Sequence, residues 1–155
     1  MRHLIGIFIL LVLTLTAPTG TLAKEKTVTI TSPLDNSDVG EKAEAEGNCS
    51  PSVAGDIWVF VWPKRSPTLG YPQSTNASPT ICNAATRRWK TPIFLRGEPQ
   101  SFVIAVYRAT TRAASDEIIA FLQEGSKVNS YPGMHLPPGL AEQHRIKVTK
   151  KKKRE

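Results

Sequence analysis

The sequence has few of the residues from which catalytic and metal sites are built. It contains two cysteines and three histidines among 155 residues, and neither a C-x-x-C nor an H-x-x-H spacing occurs, which excludes the common zinc-ligand motifs. The G-x-S-x-G element, the phosphate-binding loop and the dinucleotide-binding glycine pattern are also absent from the sequence. These absences predict a non-enzymatic protein without a metal ion, a cofactor or catalytic residues.

Histidine is too sparse for a catalytic triad to be recognised. One histidine lies in the N-terminal segment, and no serine and acid can be assigned as partners to His135 or His144 from the sequence. The adjacent carboxylates Asp116 and Glu117 are more typical of the first turn of a helix, where they stabilise the helix dipole. A small hydrolase with an unrecognised site is therefore only the third hypothesis.

Long apolar runs are absent except at residues 4–15. Arg2 precedes this run, and small residues follow it as far as Ala23, an order that is typical of a secretory signal peptide. We predict a signal peptide at residues 1–23, cleaved after Ala23. The alternative is a membrane anchor, but an anchor needs about 20 successive apolar residues. A secreted or periplasmic protein with no transmembrane span after cleavage is expected.

Excess positive charge is confined to the C-terminal end. The formal net charge is +7, yet basic and acidic residues are nearly balanced over residues 24–146. The sequence predicts a disordered tail at residues 150–155, which could contact an envelope polysaccharide or another anionic surface at about 1 kcal/mol per charge. A solubilising terminus is the alternative. Aromatic residues are not interleaved with these charges, which argues against specific nucleic-acid recognition. The candidate polyanion contacts are Lys150, Lys151, Lys152, Lys153 and Arg154.

Cys49 and Cys82 are predicted to form a disulfide, because export places the chain in an oxidising compartment. Loop closure by this bond would stabilise the domain by about 3 to 4 kcal/mol. A cysteine nucleophile or a metal site is the alternative, but no histidine lies near either cysteine in the sequence.

Residues 57–62, IWVFVW, indicate a strand with two apolar faces. Ile57, Val59 and Val61 alternate with three aromatic residues. Both faces must be covered, so this strand belongs in the middle of a layered fold. Residues 101–107 are apolar on both faces in the same way. Further strands are predicted at residues 26–31, 42–48, 71–74, 87–95 and 143–149.

One segment, residues 110–124, has a helical period instead. Thr110, Thr111 or Ser115 would cap its start, and Gly125 would end it. A single helix among six or seven short strands predicts a mainly β fold, an antiparallel β-sandwich with the helix inserted before the last strand. We expect the helix to cover the outer face of the two central strands with Ile118, Phe121 and Leu122.

Several segments together resemble an immunoglobulin-like domain of secreted bacterial proteins. They are the W-V-F-V-W-P strand, Tyr71-Pro-Gln, Trp89, the F-V-I-A-V strand and Ile146-Lys-Val148. The resemblance covers most of the domain predicted at residues 24–149, and it implies a binding or spacer module rather than an enzyme. The helix after Tyr107 departs from the plainest version of such domains. The second cysteine also precedes Trp89 instead of lying in the strand at residues 101–107.

The candidate ligand contacts are aromatic, because flat rings stack on the apolar faces of sugars. The alternative is that aromatic residues on a central strand belong to the core. The leading hypothesis is a protein-binding or structural accessory domain, and the second is a module that binds carbohydrate or an envelope polymer. Asn48 and Asn76 match glycosylation acceptors, which matters only in a eukaryotic secretory pathway. The candidate ligand contacts are Trp58, Trp62, Tyr71 and Trp89.

Overall fold

The computed structural model describes residues 27–50 and 55–152. The predicted signal peptide at residues 1–23 and the tail residues Lys153 and Arg154 lie outside these ranges. The described part of the chain forms strands and one helix in the order β1 (Val28–Ser32), β2 (Ser37–Val39), β3 (Lys42–Cys49), β4 (Ile57–Pro63), β5 (Tyr71–Gln73), β6 (Arg88–Phe94), β7 (Ser101–Ala109), α1 (Arg112–Lys127) and β8 (Leu140–Lys150).

The strands form two sheets that pack face to face, so the fold is mainly β. One sheet has three strands in the order β1-β3-β6, and the other has five in the order β2-β8-β7-β4-β5. The core between them takes alternate residues from each strand, as the period of two requires. In the five-stranded sheet these include Val59 of β4 and Ile104 of β7, and in the three-stranded sheet they include Trp89 and Ile93.

One strand pair departs from the predicted antiparallel arrangement. β2 pairs with β8 in parallel, with Ser37 opposite Val148 and Val39 opposite Lys150. The sequence of residues 34–40 favours a turn, because its Asp, Asn, Ser and Gly residues are turn formers. Asp35 and Asn36 do form a turn, and residues 37–39 continue as β2. The Asp35 carboxylate accepts the Lys147 backbone N–H at 2.7 Å and thereby joins this segment to the sheet edge.

α1 covers the second face of the central strands. Ile118 and Leu122 are buried against Trp58 and Phe60, and Phe121 packs beside them partly buried. Thr111 caps the helix, since its Oγ1 accepts the Ala114 N–H at 3.3 Å. Ser115, the alternative cap, is buried within α1.

Ser115 docks the helix on the sheet. The indole N–H of Trp58 donates a hydrogen bond to Ser115 Oγ at 3.0 Å, and both side chains are buried. A buried indole N–H without an acceptor would cost about 1 to 3 kcal/mol. This bond therefore fixes the position of α1 along β4.

The sequence predicted that Gly125 would end the helix, and this is wrong. α1 continues to Lys127. Gly125 instead allows the Pro-rich loop to pass close to the helix. A Cβ atom there would lie 2.5 Å from the Tyr131 ring and 2.8 Å from the Ser130 carbonyl oxygen. The glycine is required for packing rather than for a left-handed cap.

Side chains close the two open sides of the sandwich. On one side, the Ile30 N–H of β1 donates to His144 Nδ1 of β8 at 3.1 Å. On the other, the Phe94 N–H of β6 donates to Gln73 Oε1 of β5 at 2.9 Å. Both bonds cross from one sheet to the other, so edge amides are satisfied without further strands.

The predicted disulfide is confirmed. Cys49, at the end of β3, is bonded to Cys82 in the connection between β5 and β6, with their Cα atoms 6.0 Å apart. Cys49 is buried in the core between the sheets, and Cys82 packs against it partly buried. The bond ties the long connection to the sandwich.

Reduction should reveal the contribution of this disulfide. We expect reduced protein to lose about 3 kcal/mol in free energy of unfolding, because the unfolded chain regains the entropy of an open loop. Urea unfolding with and without reductant measures the loss. The Cys49→Ala/Cys82→Ala variant is the control and should be indifferent to reductant. Equal stability of oxidised and reduced wild type would contradict the expectation.

Replacing Gly125 by alanine should destabilise the protein, although the same change in an exposed helix stabilises by about 1 kcal/mol. The added methyl group meets the Tyr131 ring and the Ser130 carbonyl, and overpacking of this kind costs about 1 to 3 kcal/mol. Thermal and urea unfolding of Gly125→Ala measure the sign. Gly125→Ala should cost less stability in a Tyr131→Ala background than in wild type, because the ring that the added methyl group meets is then absent. A Gly125→Ala protein more stable than wild type would contradict this account.

Candidate binding groove

The outer face of the five-stranded sheet, which points away from the three-stranded sheet, carries three rows of side chains across β4, β7 and β8. Residues opposite one another in an antiparallel pair lie on the same face. The strand register therefore aligns the first row as Trp58, Tyr107 and Glu142, the second as Phe60, Ala105 and Arg145, and the third as Trp62, Val103 and Lys147. Each row is aromatic on β4 and charged on β8.

α1 covers only part of this face. Trp58 in the first row and Phe60 in the second have no exposed surface, whereas Trp62 and Val103 in the third row are partly exposed and Lys147 is exposed. An open groove of about 470 Å³ lies over the third row, and none of its lining residues belongs to α1. We call it the Trp62 groove. Its principal lining residues are Trp62, Lys64, Val103, Leu136, Arg145 and Lys147.

Packing holds the Trp62 ring in place. It stacks on Phe60 with ring centroids 5.4 Å apart and lies 5.7 Å from the Tyr107 ring. Gly70 approaches the indole so closely that a Cβ atom would lie 2.8 Å from it. A ring fixed on several sides loses little conformational entropy when a ligand binds, which favours binding.

A polar network borders the groove beside this ring. The Tyr107 hydroxyl donates to Glu142 Oε2 at 2.9 Å, and Arg145 Nε donates to Glu142 Oε1 at 2.7 Å. A second hydrogen bond joins the Arg145 guanidinium to the same carboxylate. Burial, followed by the hydrogen bond to Glu142 and its negative charge, raises the pKa of Tyr107 well above its usual value. The hydrogen bond to Glu142 likewise raises the pKa of Arg145.

Two lysines flank the groove at opposite sides. Lys64 follows β4, where its backbone N–H donates to the Ser101 carbonyl at 3.0 Å, and Lys147 lies on β8. Both side chains are exposed, and within residues 27–50 and 55–152 neither forms an ion pair. The groove therefore combines an aromatic wall with positive charge.

A larger cavity of about 950 Å³ lies at the β5 edge. It contains Tyr71, and its lining includes Gln73 and Phe94, which join the two sheets, and Tyr131, which packs on Gly125. Gln73 and Phe94 thus have a role in closing the sandwich, and Tyr131 has one in packing the loop on α1. Lys127, which also lines it, is paired with Glu124 at 3.0 Å.

The four aromatic candidates do not form one platform. Trp58 is buried beneath α1, and Trp89 is buried between the sheets, where its indole N–H donates to the Thr29 carbonyl at 3.1 Å. Neither presents a ring face to a ligand in this structure. Trp62 and Tyr71 are partly exposed, but they line different cavities.

The predicted tail begins one residue too early. Lys150 is the last residue of β8 and is buried, because its ammonium group donates to the Gly97 carbonyl at 2.6 Å and lies 3.2 Å from Glu41. It is therefore a structural cation rather than a polyanion contact. Lys151 and Lys152 are exposed.

The two histidines lie apart. His135 is exposed in the Pro-rich loop, and His144 accepts the Ile30 N–H at the side of the sandwich. Over the described ranges, no group of three or more His, Cys, Asp or Glu residues is arranged to hold a metal ion. Nor does any helix in those ranges have the length and apolar character needed to cross a membrane.

Sequence reasoning missed most of the groove. The sequence places Lys147 near the basic C-terminal end, Val103 and Tyr107 in a predicted strand, and Leu136 outside the predicted strands and helix. The proximity of Val103, Tyr107 and Lys147 depends on the β7–β8 pairing, in which a register shift lies between Val106 and Tyr107. Leu136 reaches the groove from the connection between α1 and β8. The alternation of residues 143–149 was the only available signal for Lys147. It places Lys147 on the face opposite Ile146 and Val148.

A comparison of the sequence with protein-family models finds no match, and a comparison with curated proteins finds none. The site is therefore interpreted from its own geometry.

Alkaline pH should test the Tyr107 network. The pKa of Tyr107 is raised on folding, whereas tyrosine in an unfolded chain titrates near about 10. The folded state thus holds the phenolic proton more tightly, and the free energy of unfolding should fall as pH rises above about 10. Urea unfolding between about pH 8 and pH 11 measures this fall.

The Tyr107→Phe variant should show a shallower fall, because it has no phenolic proton at this position. It should also lose about 1 kcal/mol at neutral pH through the missing hydrogen bond. Tyr131→Phe, which alters a partly exposed ring elsewhere, is the matched control. An alkaline loss of the same size in wild type and Tyr107→Phe would contradict the assignment.

Proposed function

We propose that this protein is a non-enzymatic immunoglobulin-like module of an exported protein, and that it binds a protein partner through the Trp62 groove. The observation that carries the proposal is the third row of the outer face. Trp62, Val103 and Lys147 lie beside a face that α1 otherwise covers, and they stay accessible. A fixed aromatic side chain in a concave surface is typical of the residues that dominate protein–protein binding energy.

Three further features support an exported binding module. The two packed sheets are compatible with the immunoglobulin-like resemblance. The Cys49–Cys82 disulfide is compatible with an oxidising compartment. The N-terminal pattern at residues 1–23 is that of a cleaved signal peptide. The groove supports the proposed binding function, and these three features support the proposed export.

Binding of an envelope polysaccharide is the second candidate function. Its support is the partly exposed Trp62 ring together with Lys151 and Lys152, which are exposed directly after β8. A flat ring beside cations is a reasonable surface for an anionic polymer. This candidate requires the polymer to contact Trp62 and the C-terminal lysines together.

Site-specific photo-crosslinking in the producing organism tests the proposed function. A photoreactive residue at Thr68, an exposed residue that lines the groove, should give a discrete adduct with a protein. Lys90, on the exposed face of the three-stranded sheet, is the control position and should give none. Adding Trp62→Ala should reduce the Thr68 adduct by at least about tenfold, because a hot-spot residue contributes about 2 kcal/mol.

The alternatives give different results. A polysaccharide adduct at Thr68 would support the second candidate instead. Equal protein adducts at Thr68 and Lys90, or an adduct indifferent to Trp62→Ala in a protein that unfolds cooperatively, would overturn the proposal.

A further inference from the structure

The charge and polarity of the Trp62 groove identify the kind of segment that fits it. We infer that its occupant is an acidic peptide segment of the partner protein, in which carboxylates flank an apolar side chain. This inference rests on the proposed function and adds the chemistry of the partner.

Positive charge dominates the groove. Lys64 and Lys147 flank it, and Arg145, which also lines it, is paired with Glu142 and adds no net charge. The Glu142 carboxylate is engaged by Arg145 and Tyr107, so it is already compensated. Asp35 Oδ1 accepts the backbone N–H of Lys147 at 2.7 Å, and Asp35 Oδ2 accepts the Asn36 side-chain amide at 3.0 Å. A partner segment with two or more carboxylates would complement the lysines from both sides.

The wall between the charges is apolar. Trp62 and Val103 line it along the sheet, and Leu136 of the Pro-rich loop, 40% exposed, faces the same space. Pro63 and Pro67 complete this apolar lining. An apolar side chain on the partner would remove these surfaces from water, which favours binding.

The polar lining favours a peptide over a sugar. A sugar needs several directed donors and acceptors for its hydroxyl groups. In the groove, uncharged hydroxyl groups come from Thr68 and Ser101. The Tyr107 hydroxyl also lies there, but it donates to Glu142. The Glu142 carboxylate, which borders the groove, already accepts hydrogen bonds from Arg145 and Tyr107. A groove with apolar walls and cations at two sides matches a peptide of alternating acidic and apolar side chains more closely.

Fluorescence anisotropy with synthetic peptides tests the inference on the chain from residue 24 to residue 155. The main probe is a short fluorescein-labelled peptide in which glutamates flank one leucine. The matched probes replace the glutamates by glutamines or the leucine by serine, and an oligogalacturonate is the anionic sugar. We expect the glutamate–leucine peptide to bind at least about tenfold more tightly than either matched peptide, and its affinity to fall as salt rises from about 20 to about 200 mM.

Charge reversal assigns the binding to this groove. Lys64→Glu/Lys147→Glu should weaken the acidic peptide at least about tenfold and should bind a lysine–leucine peptide that wild type does not bind. Lys42→Glu, which reverses an exposed lysine on the three-stranded sheet, is the control and should bind as wild type does. Unfolding midpoints near that of wild type establish that the variants are folded.

Each outcome is decisive. Equal binding of the glutamate and glutamine peptides, or the same loss in Lys42→Glu as in the groove variant, would overturn the inference. So would tighter binding of oligogalacturonate than of every peptide. If a protein adduct forms at Thr68 while the acidic peptide fails, the proposed function stands and the acidic chemistry is wrong. If neither occurs, both are wrong.

Discussion

The structure depends on one constraint, namely that β4 and β7 are apolar on both faces and must be shielded from water on both. The inner face is covered by the three-stranded sheet, as Val59 and Ile104 in the core show. The outer face is covered by α1, which is held to β4 by the Trp58–Ser115 hydrogen bond. The three-layer arrangement follows from the sequence of two strands rather than from the helix itself.

The same constraint explains where the groove lies. α1 covers the outer face around Trp58, and the loop that follows the helix packs Tyr131 against Gly125 of α1. The remaining end of the face keeps Trp62 partly exposed. Because β8 carries charged residues opposite the aromatic residues of β4, the uncovered end is both apolar and positively charged. The residues covered by α1 and the residues that line the groove are thus adjacent positions of the same strands.

Local patterns predicted much of the fold. The alternation of residues 57–62 and 101–107, the helical period around Ile118, and the two cysteines are each visible in the sequence. What could not be predicted depends on pairing between distant segments. β2 was read as a turn because its stability comes from β8, and Lys150 was read as a tail residue because Glu41 and Gly97 are remote in sequence. Groove residues such as Val103 and Lys147 become neighbours only through strand register.

The bonds at His144 and Gln73 have a consequence for how copies of this protein behave at high concentration. Exposed strand edges invite pairing with other chains and can seed aggregation. Here the backbone amides of Ile30 and Phe94, which lie at the two edges of the three-stranded sheet, are already bonded to side chains of the opposite sheet. At these two positions a second chain finds no vacant amide, so the three-stranded sheet is less open there to pairing with another copy.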